Sequence, residues 1–251
     1  MSQTPKSTIL LPLYIFPDPG CWDPLYQAIT SNPDLQFIII VNPNSGPGSP
    51  PWWPNPDYVR DIPKLNAQAN VKTVGYVRID YGRKPIEEVF EDIKKYGEWS
   101  KDFETTGLGV EGVFFDETPN KYSEGNKAYL DAMSRRVKEQ PGMLGDRTVI
   151  HNPGTAVDAR LAQPGPDITT VVEQGHAEFE TAEAQNWLST SPYDRSRSCY
   201  MVHSAPETRI KDITCELRRR AEYLFVTSLR QDFYESFGPS WQNFVNAMAE
   251  P

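Results

Sequence analysis

The chain predicts a single (β/α)8 TIM-type barrel, and three observations carry that prediction. Eight strand-like apolar runs alternate with amphipathic stretches, several runs have no polar position, and helix-start signals recur between them. Strand character falls near residues 9–16, 37–42, 71–79, 111–116, 146–151, 168–173, 198–203 and 222–227. Phe37-Ile-Ile-Ile-Val41 is apolar throughout, as expected of a parallel strand covered on both faces. Helical stretches lie near 22–30, 57–69, 85–101, 121–139, 176–188 and 208–220, with a last one at 239–249 and only a short or irregular crossover near 156–162. Asp23 before Pro24, Pro56 before Asp57, and Pro85 before Glu87 and Glu88 each place a fixed φ and negative charge near a first helical turn. No Ser/Gly-rich or charged linker divides the 251 residues, so one domain over 1–251 is expected.

Composition narrows the function classes. Hydrophobic residues at 38% supply a core, and 23 prolines with 16 glycines imply many structured turns. A formal net charge of -9 argues against a nucleic-acid partner, because phosphate-backbone binding needs clustered Lys and Arg. The one dense basic run, Arg218-Arg219-Arg220, reads as the solvated last turn of a helix. Cys21, Cys199 and Cys215 leave an odd thiol and match neither a zinc site nor a disulfide scaffold. The first residues carry no signal-like cleavage pattern, and no apolar run approaches the roughly 20 residues of a membrane span. A monomer without a membrane-spanning segment is expected.

The chemistry concentrates at predicted strand ends. Glu111-Gly-Val-Phe-Phe-Asp-Glu-Thr-Pro119 is an apolar run that stops at two adjacent carboxylates, Asp116 and Glu117. In a parallel β/α barrel the ligand crevice lies at that end of the strands. The alternative is that Asp116 caps the next helix and Glu117 is solvated. Side chains alternate along a strand, so only one of the two acids can point down the barrel axis. Glu173, ending Ile168-Thr-Thr-Val-Val-Glu173 two strands further round, would face the pair across the mouth; its alternative is a helix cap before 176–188. Two opposed carboxyl groups are what glycoside hydrolysis requires. Asp18, Asn42, Arg78, Asp80, His151, Asn152, His203 and Thr227 collect on the same rim. Trp52 and Trp53, with Tyr14, Tyr76 and Tyr81, offer flat faces suited to sugar rings or, equally, to closing the barrel end and pinning loops. Three histidines without His-x-His or His-Glu-x-x-His spacing do not make a metal site, and neither metal nor cofactor is expected.

In combination, several segments resemble the spherulin-4-like family of fungal and bacterial proteins, which includes the fungal Sph3-type glycoside hydrolases. They are Leu13-Tyr-Ile-Phe-Pro17 with Trp22, Asn42-Pro-Asn-Ser-Gly-Pro-Gly48, Gly75-Tyr-Val-Arg-Ile-Asp-Tyr-Gly82, Gly112-Val-Phe-Phe-Asp-Glu117, Asn152-Pro-Gly154 and Val171-Val-Glu173. The resemblance implies a metal-free (β/α)8 hydrolase acting within α-1,4-linked N-acetylgalactosamine of an exopolysaccharide such as galactosaminogalactan. It implies Asp116, Glu117 and Glu173 as catalytic acids, and an extracellular or cell-surface location, although neither a signal peptide nor an anchor is expected from these residues. The competing readings are a non-catalytic carbohydrate-binding cell-surface protein on the same scaffold and a developmental structural protein.

Overall fold

The computed structural model describes residues 5–50 and 54–250. Eight parallel strands close into a barrel in chain order: β1 (Thr8–Leu13), β2 (Phe37–Val41), β3 (Val71–Arg78), β4 (Gly112–Asp116), β5 (Thr148–Asn152), β6 (Ile168–Gly175), β7 (Ser198–His203) and β8 (Tyr223–Val226). Around them run α1 (Asp23–Ser31), α2 (Pro56–Asn66), α3 (Ile86–Trp99), α4 (Phe103–Thr106), α5 (Glu124–Glu139), α6 (His176–Phe179), α7 (Ala182–Leu188), α8 (Ile210–Leu217) and α9 (Trp241–Ala249). The predicted (β/α)8 barrel is therefore observed, and the crossover between β5 and β6 is a single 3-10 turn, Ala159–Leu161.

Every residue of β2 is buried, with one face turned to the barrel interior and the other to the helices. Helix starts follow the sequence signals. Asn55 caps α2 by accepting from the amides of Asp57 and Tyr58, and Ser123 caps α5 by accepting from Asn126. Gly75 has a packing reason: a Cβ there would lie 2.4 Å from the Tyr96 ring of α3, whose hydroxyl donates to the Tyr76 carbonyl at 2.8 Å. The missing side chain lets α3 press against β3 and fixes the strand that carries Tyr76.

Register brings the site residues to one height. Arg78 lies beside Asp116, and Asp116 beside Asn152. β6 contains an irregularity: Thr170 pairs with Cys199 but Val172 pairs with Tyr200, so one extra residue is inserted. Tyr200 faces outward, under Phe179 of α6 and the Arg220 guanidinium. Its neighbour Met201 faces inward, and the bulge sets Glu173 beside Met201. Without the insertion Glu173 would fall beside Val202 and point into the helix layer.

Two expectations are corrected. The 176–188 stretch is two helices, because α6 ends at Phe179 and the Thr181 hydroxyl caps a new start by accepting from Ala184. The run at 218–220 is not solvated as a unit. Arg218 is 0% exposed, its guanidinium donating to the carbonyls of Pro5 and Ala247 at 3.2 and 3.0 Å, which ties α8 to the N-terminal segment and α9. Arg220 lies over the rings of Phe179 and Tyr200, and only Arg219 stands in solvent. The three cysteines are unpaired thiols.

Candidate active site

The carboxyl ends of β4, β5 and β6 supply Asp116, Asn152 and Glu173, and β3 adds Tyr76 from below. Asn152 joins the two acids. Its Oδ1 accepts from the Gly154 amide at 2.9 Å, an Asx-type turn that commits the side-chain NH2 to the opposite direction. That Nδ2 donates to Asp116 Oδ1 at 2.8 Å and to Glu173 Oε2 at 2.7 Å. Laid end to end, these bonds hold the two nearest carboxyl oxygens within about 5.5 Å of each other. Each acid also has a phenol of its own. Tyr76 Oη donates to Asp116 Oδ2 at 2.6 Å, and Tyr234 Oη, from the segment between β8 and α9, donates to Glu173 Oε1 at 2.5 Å. Tyr14 stands edge-on between the two phenols, 5.5 Å from the Tyr76 ring and 5.4 Å from Tyr234.

Burial raises the carboxyl pKa of both Asp116 and Glu173 above the usual carboxylate range. Their donors oppose that rise unequally. Asp116 accepts a third bond from the Glu117 amide at 2.9 Å, whereas Glu173 has two donors, Tyr234 and Asn152. No cation bonds to either acid among the described residues. The same burial, reinforced by the adjacent carboxylates, pushes the phenols of Tyr76 and Tyr234 up, so both remain donors at any working pH. The site therefore holds two buried carboxyls bridged by one amide and hydrogen-bonded only by neutral donors.

Glu117 is adjacent but differently engaged. Its backbone is left-handed, φ 56°, an uncommon state for a residue with a side chain, held by Tyr81 donating to its carbonyl at 2.7 Å. Glu117 Oε1 accepts from Arg78 Nε at 3.0 Å, while Oε2 is enclosed with no donor among the described residues. Arg78 also reaches Asp80 at 3.4 Å, and Asp80 is shared with Arg83 at 2.6 Å. Neither Asp116 nor Glu173 is a helix cap: Ser123 caps α5, and α6 starts at Gly175 with no side-chain cap.

The remaining candidates separate. His203 lies on the rim, half-buried, with Nδ1 2.9 Å from Ser204 Oγ and its ring stacked on Phe233 at 4.2 Å. Asn42 accepts from the Gly46 amide at 3.2 Å and shapes its own loop. His151 is one residue from Asn152 but points into the helix layer, against Phe115, with Nε2 3.1 Å from Ser134 Oγ of α5. Burial lowers its pKa to about 3, and it has no contact with the carboxyl cage. Trp52 and Trp53 lie outside the described residues. Sequence reasoning missed Tyr234 and Trp187. The first sits in an irregular segment with no periodic signal; the second, on α7, is 41% exposed and lines the same cavity as Glu173, and its exposure was the available clue only once the fold was known.

Among the described residues no group of three or more His, Cys, Asp or Glu side chains is arranged to hold a metal ion, and no helix is long and apolar enough to cross a membrane. The chain is similar to spherulin-4 of Physarum polycephalum, 30% identical over 192 residues that make up 76% of this chain; it spans only 52% of that protein's length. It is similar in structure to Aspergillus clavatus Sph3, crystallised in complex with GalNAc, with TM-score 0.92, 38% identity and 98% of each chain covered. The sequence model for spherulation-specific family 4 matches residues 8–248, and the chain belongs to that family.

Proposed function

We propose that the chain is an endo-acting glycoside hydrolase that cleaves internal α-1,4-linked N-acetylgalactosamine in an exopolysaccharide such as galactosaminogalactan. The observation that carries this reading is the Asn152 amide spanning Asp116 and Glu173 at the barrel mouth. Support for the sugar comes from the GalNAc held by the structural relative. Support for internal cleavage comes from aromatic faces on both flanks of the acids, Tyr81 beyond β3 and Trp187 beyond β6, 54% and 41% exposed. A polysaccharide of this kind implies work outside the cell or at its surface.

The linkage constrains the mechanism. In an α-linked residue the 2-acetamido group lies on the same ring face as the leaving oxygen and cannot attack from behind, so the enzyme supplies the nucleophile. Asp116, with three donors, is the better-stabilised carboxylate and takes that role. Glu173, with two donors, keeps its proton and gives it to the leaving glycosidic oxygen. The bond from Asp116 oxygen to the anomeric carbon forms as the glycosidic bond breaks. Water, deprotonated by Glu173, then displaces Asp116 and regenerates both groups. Two carboxyls bridged by one amide, their nearest oxygens within about 5.5 Å, leave little room for the water an inverting pair activates, which supports double displacement with retention. Glu117, with an unfilled acceptor and an Arg78 partner, orients a substrate hydroxyl or amide.

Defined α-1,4-N-acetylgalactosamine oligosaccharides test the reading. Mass spectrometry should find shorter oligomers from internal cuts, and proton NMR should find the α-anomer first. Saturable binding without product would favour the carbohydrate-binding alternative, and first-formed β-anomer would reject the double displacement.

A further inference from the structure

A cavity of about 1150 Å³ extends from Glu173 along the face of α6 and α7. That exceeds the roughly 300–1,000 Å³ typical of a small-ligand pocket, so it has room for more than one sugar ring. It belongs to the same mouth as the catalytic pair, because Glu173 forms its inner wall. Trp187, Asn186 and His203, the last braced by Phe233, also line it. The Trp187 indole is 41% exposed at this cavity, and a flat exposed ring matches the apolar face of a pyranose.

Charge distinguishes this arm of the mouth from the other. Glu178 and Glu183 line the cavity, both exposed, and neither is in an ion pair among the described residues. None of the lining residues is Lys or Arg. On the opposite arm the carboxylates of Glu117 and Asp80 are matched by Arg78 and Arg83. A neutral N-acetylated ring offers these carboxylates only hydroxyl and amide donors, whereas a ring whose amine is free carries an ammonium that they attract more strongly.

Resting on the hydrolase reading above, we infer that this cavity is a distal subsite for a de-N-acetylated, cationic hexosamine, with Trp187 as its stacking platform and Glu178 and Glu183 as its charge selector. The enzyme then accepts chains of mixed acetylation, placing an acetylated residue at Asp116 and Glu173 and favouring an amine-bearing residue some rings away.

The test compares short and long α-1,4-linked oligomers, fully acetylated or partly de-N-acetylated. Trp187→Ala should lower the ratio of kcat/KM for long over short oligomers by about tenfold, the scale of one lost ring contact, mainly through KM. Glu178→Gln/Glu183→Gln should reduce the preference for amine-bearing over fully acetylated long oligomers by about threefold at low salt, with the difference fading as salt screens these exposed charges. An unchanged length ratio in Trp187→Ala, or an equal loss on both oligomer types in the double Gln variant, overturns the assignment. Quenching of tryptophan fluorescence by partly de-N-acetylated oligomers, absent in Trp187→Ala, reads the subsite without turnover. If wild type cleaves nothing yet shows that quenching, the hydrolase reading fails and the subsite stands. If it cleaves without the quenching, the subsite fails and the hydrolase stands.

Discussion

Glu117 and the Asp116–Glu173 pair sit within one strand-end ring of the barrel, yet they are held in opposite ways. Glu117 is matched by a guanidinium, as are its neighbours around Asp80. Asp116 and Glu173 are held only by neutral donors, two phenols, an amide side chain and a backbone amide. A cation beside a carboxylate holds its orientation through a charge-assisted hydrogen bond. Neutral donors orient a carboxyl while burial keeps its pKa high, which leaves it able to hold and release a proton. On the proposed mechanism, that difference gives the chemistry to Asp116 and Glu173 and substrate positioning to Glu117.

The largest effects should come from the neutral cage. Asp116→Asn and Glu173→Gln should each lower kcat by about 10²–10⁴-fold, with thermal midpoints close to wild type, because each replacement keeps the shape and the amide contacts. Glu117→Gln should cost only about tenfold and chiefly raise KM. A Glu117→Gln variant as damaged in kcat as the other two would erase the distinction. Asn152→Ala comes next. Removing the bridge leaves both carboxyls in place but frees them to separate, so kcat should fall by about 10–100-fold, the scale of lost orientation at a reacting centre. Asn152→Asp should be worse than Ala, since a third carboxylate would face the first two. Wild-type kcat in Asn152→Ala would show that the bridge is not what aligns the acids.

The pH profile sharpens the role order. Tyr234 donates to Glu173, and Tyr76 to Asp116; both bonds favour the ionised form. Tyr234→Phe should therefore raise the Glu173 pKa and move the alkaline limb of kcat upward by about one pH unit, with a few-fold loss of rate. Tyr76→Phe should raise the Asp116 pKa and move the acidic limb upward instead. If the limbs respond the other way round, Asp116 is the acid and Glu173 the nucleophile.

Much of this was legible in the residue order, for reasons that also explain the gaps. Fully apolar runs such as Phe37–Val41 mark parallel strands with two covered faces, and their spacing allows only a few topologies. Asp116, Asn152 and Glu173 stand where such runs end. Simple alternation separates Asp116 from Glu117, but the expectation of His151 on the rim with Asn152 leaves the same rule unapplied there, and the histidine lies in the helix layer. The bulge in β6 has no signature in Ile168–Glu173, although it is what turns Glu173 inward. Tyr234 lies on an irregular segment where periodicity carries no information. The burial of Arg218 depends on Pro5 and Ala247, which are remote in sequence, so local charge patterning could only place it in solvent.

The smallest effect on catalysis, and a separate one on stability, belongs to His151. Buried against Phe115 and held down to about 3, it stays neutral in the folded chain across ordinary pH. In the unfolded chain it takes up a proton below about pH 6.5, so the unfolded state binds more protons there and stability falls as pH drops from about 6.5 toward 3. From pH 7 to pH 5 this one side chain should remove about 2 kcal/mol. His151→Gln keeps a polar group near Ser134 without that titration. Urea unfolding at both pH values should find the loss between pH 7 and pH 5 smaller in the variant by about that amount, while its kcat stays within twofold of wild type. Equal losses in the two proteins would mean that acid sensitivity originates elsewhere. A collapse of kcat with stability intact would bring His151 back to the mouth and undo the separation of the two strand faces.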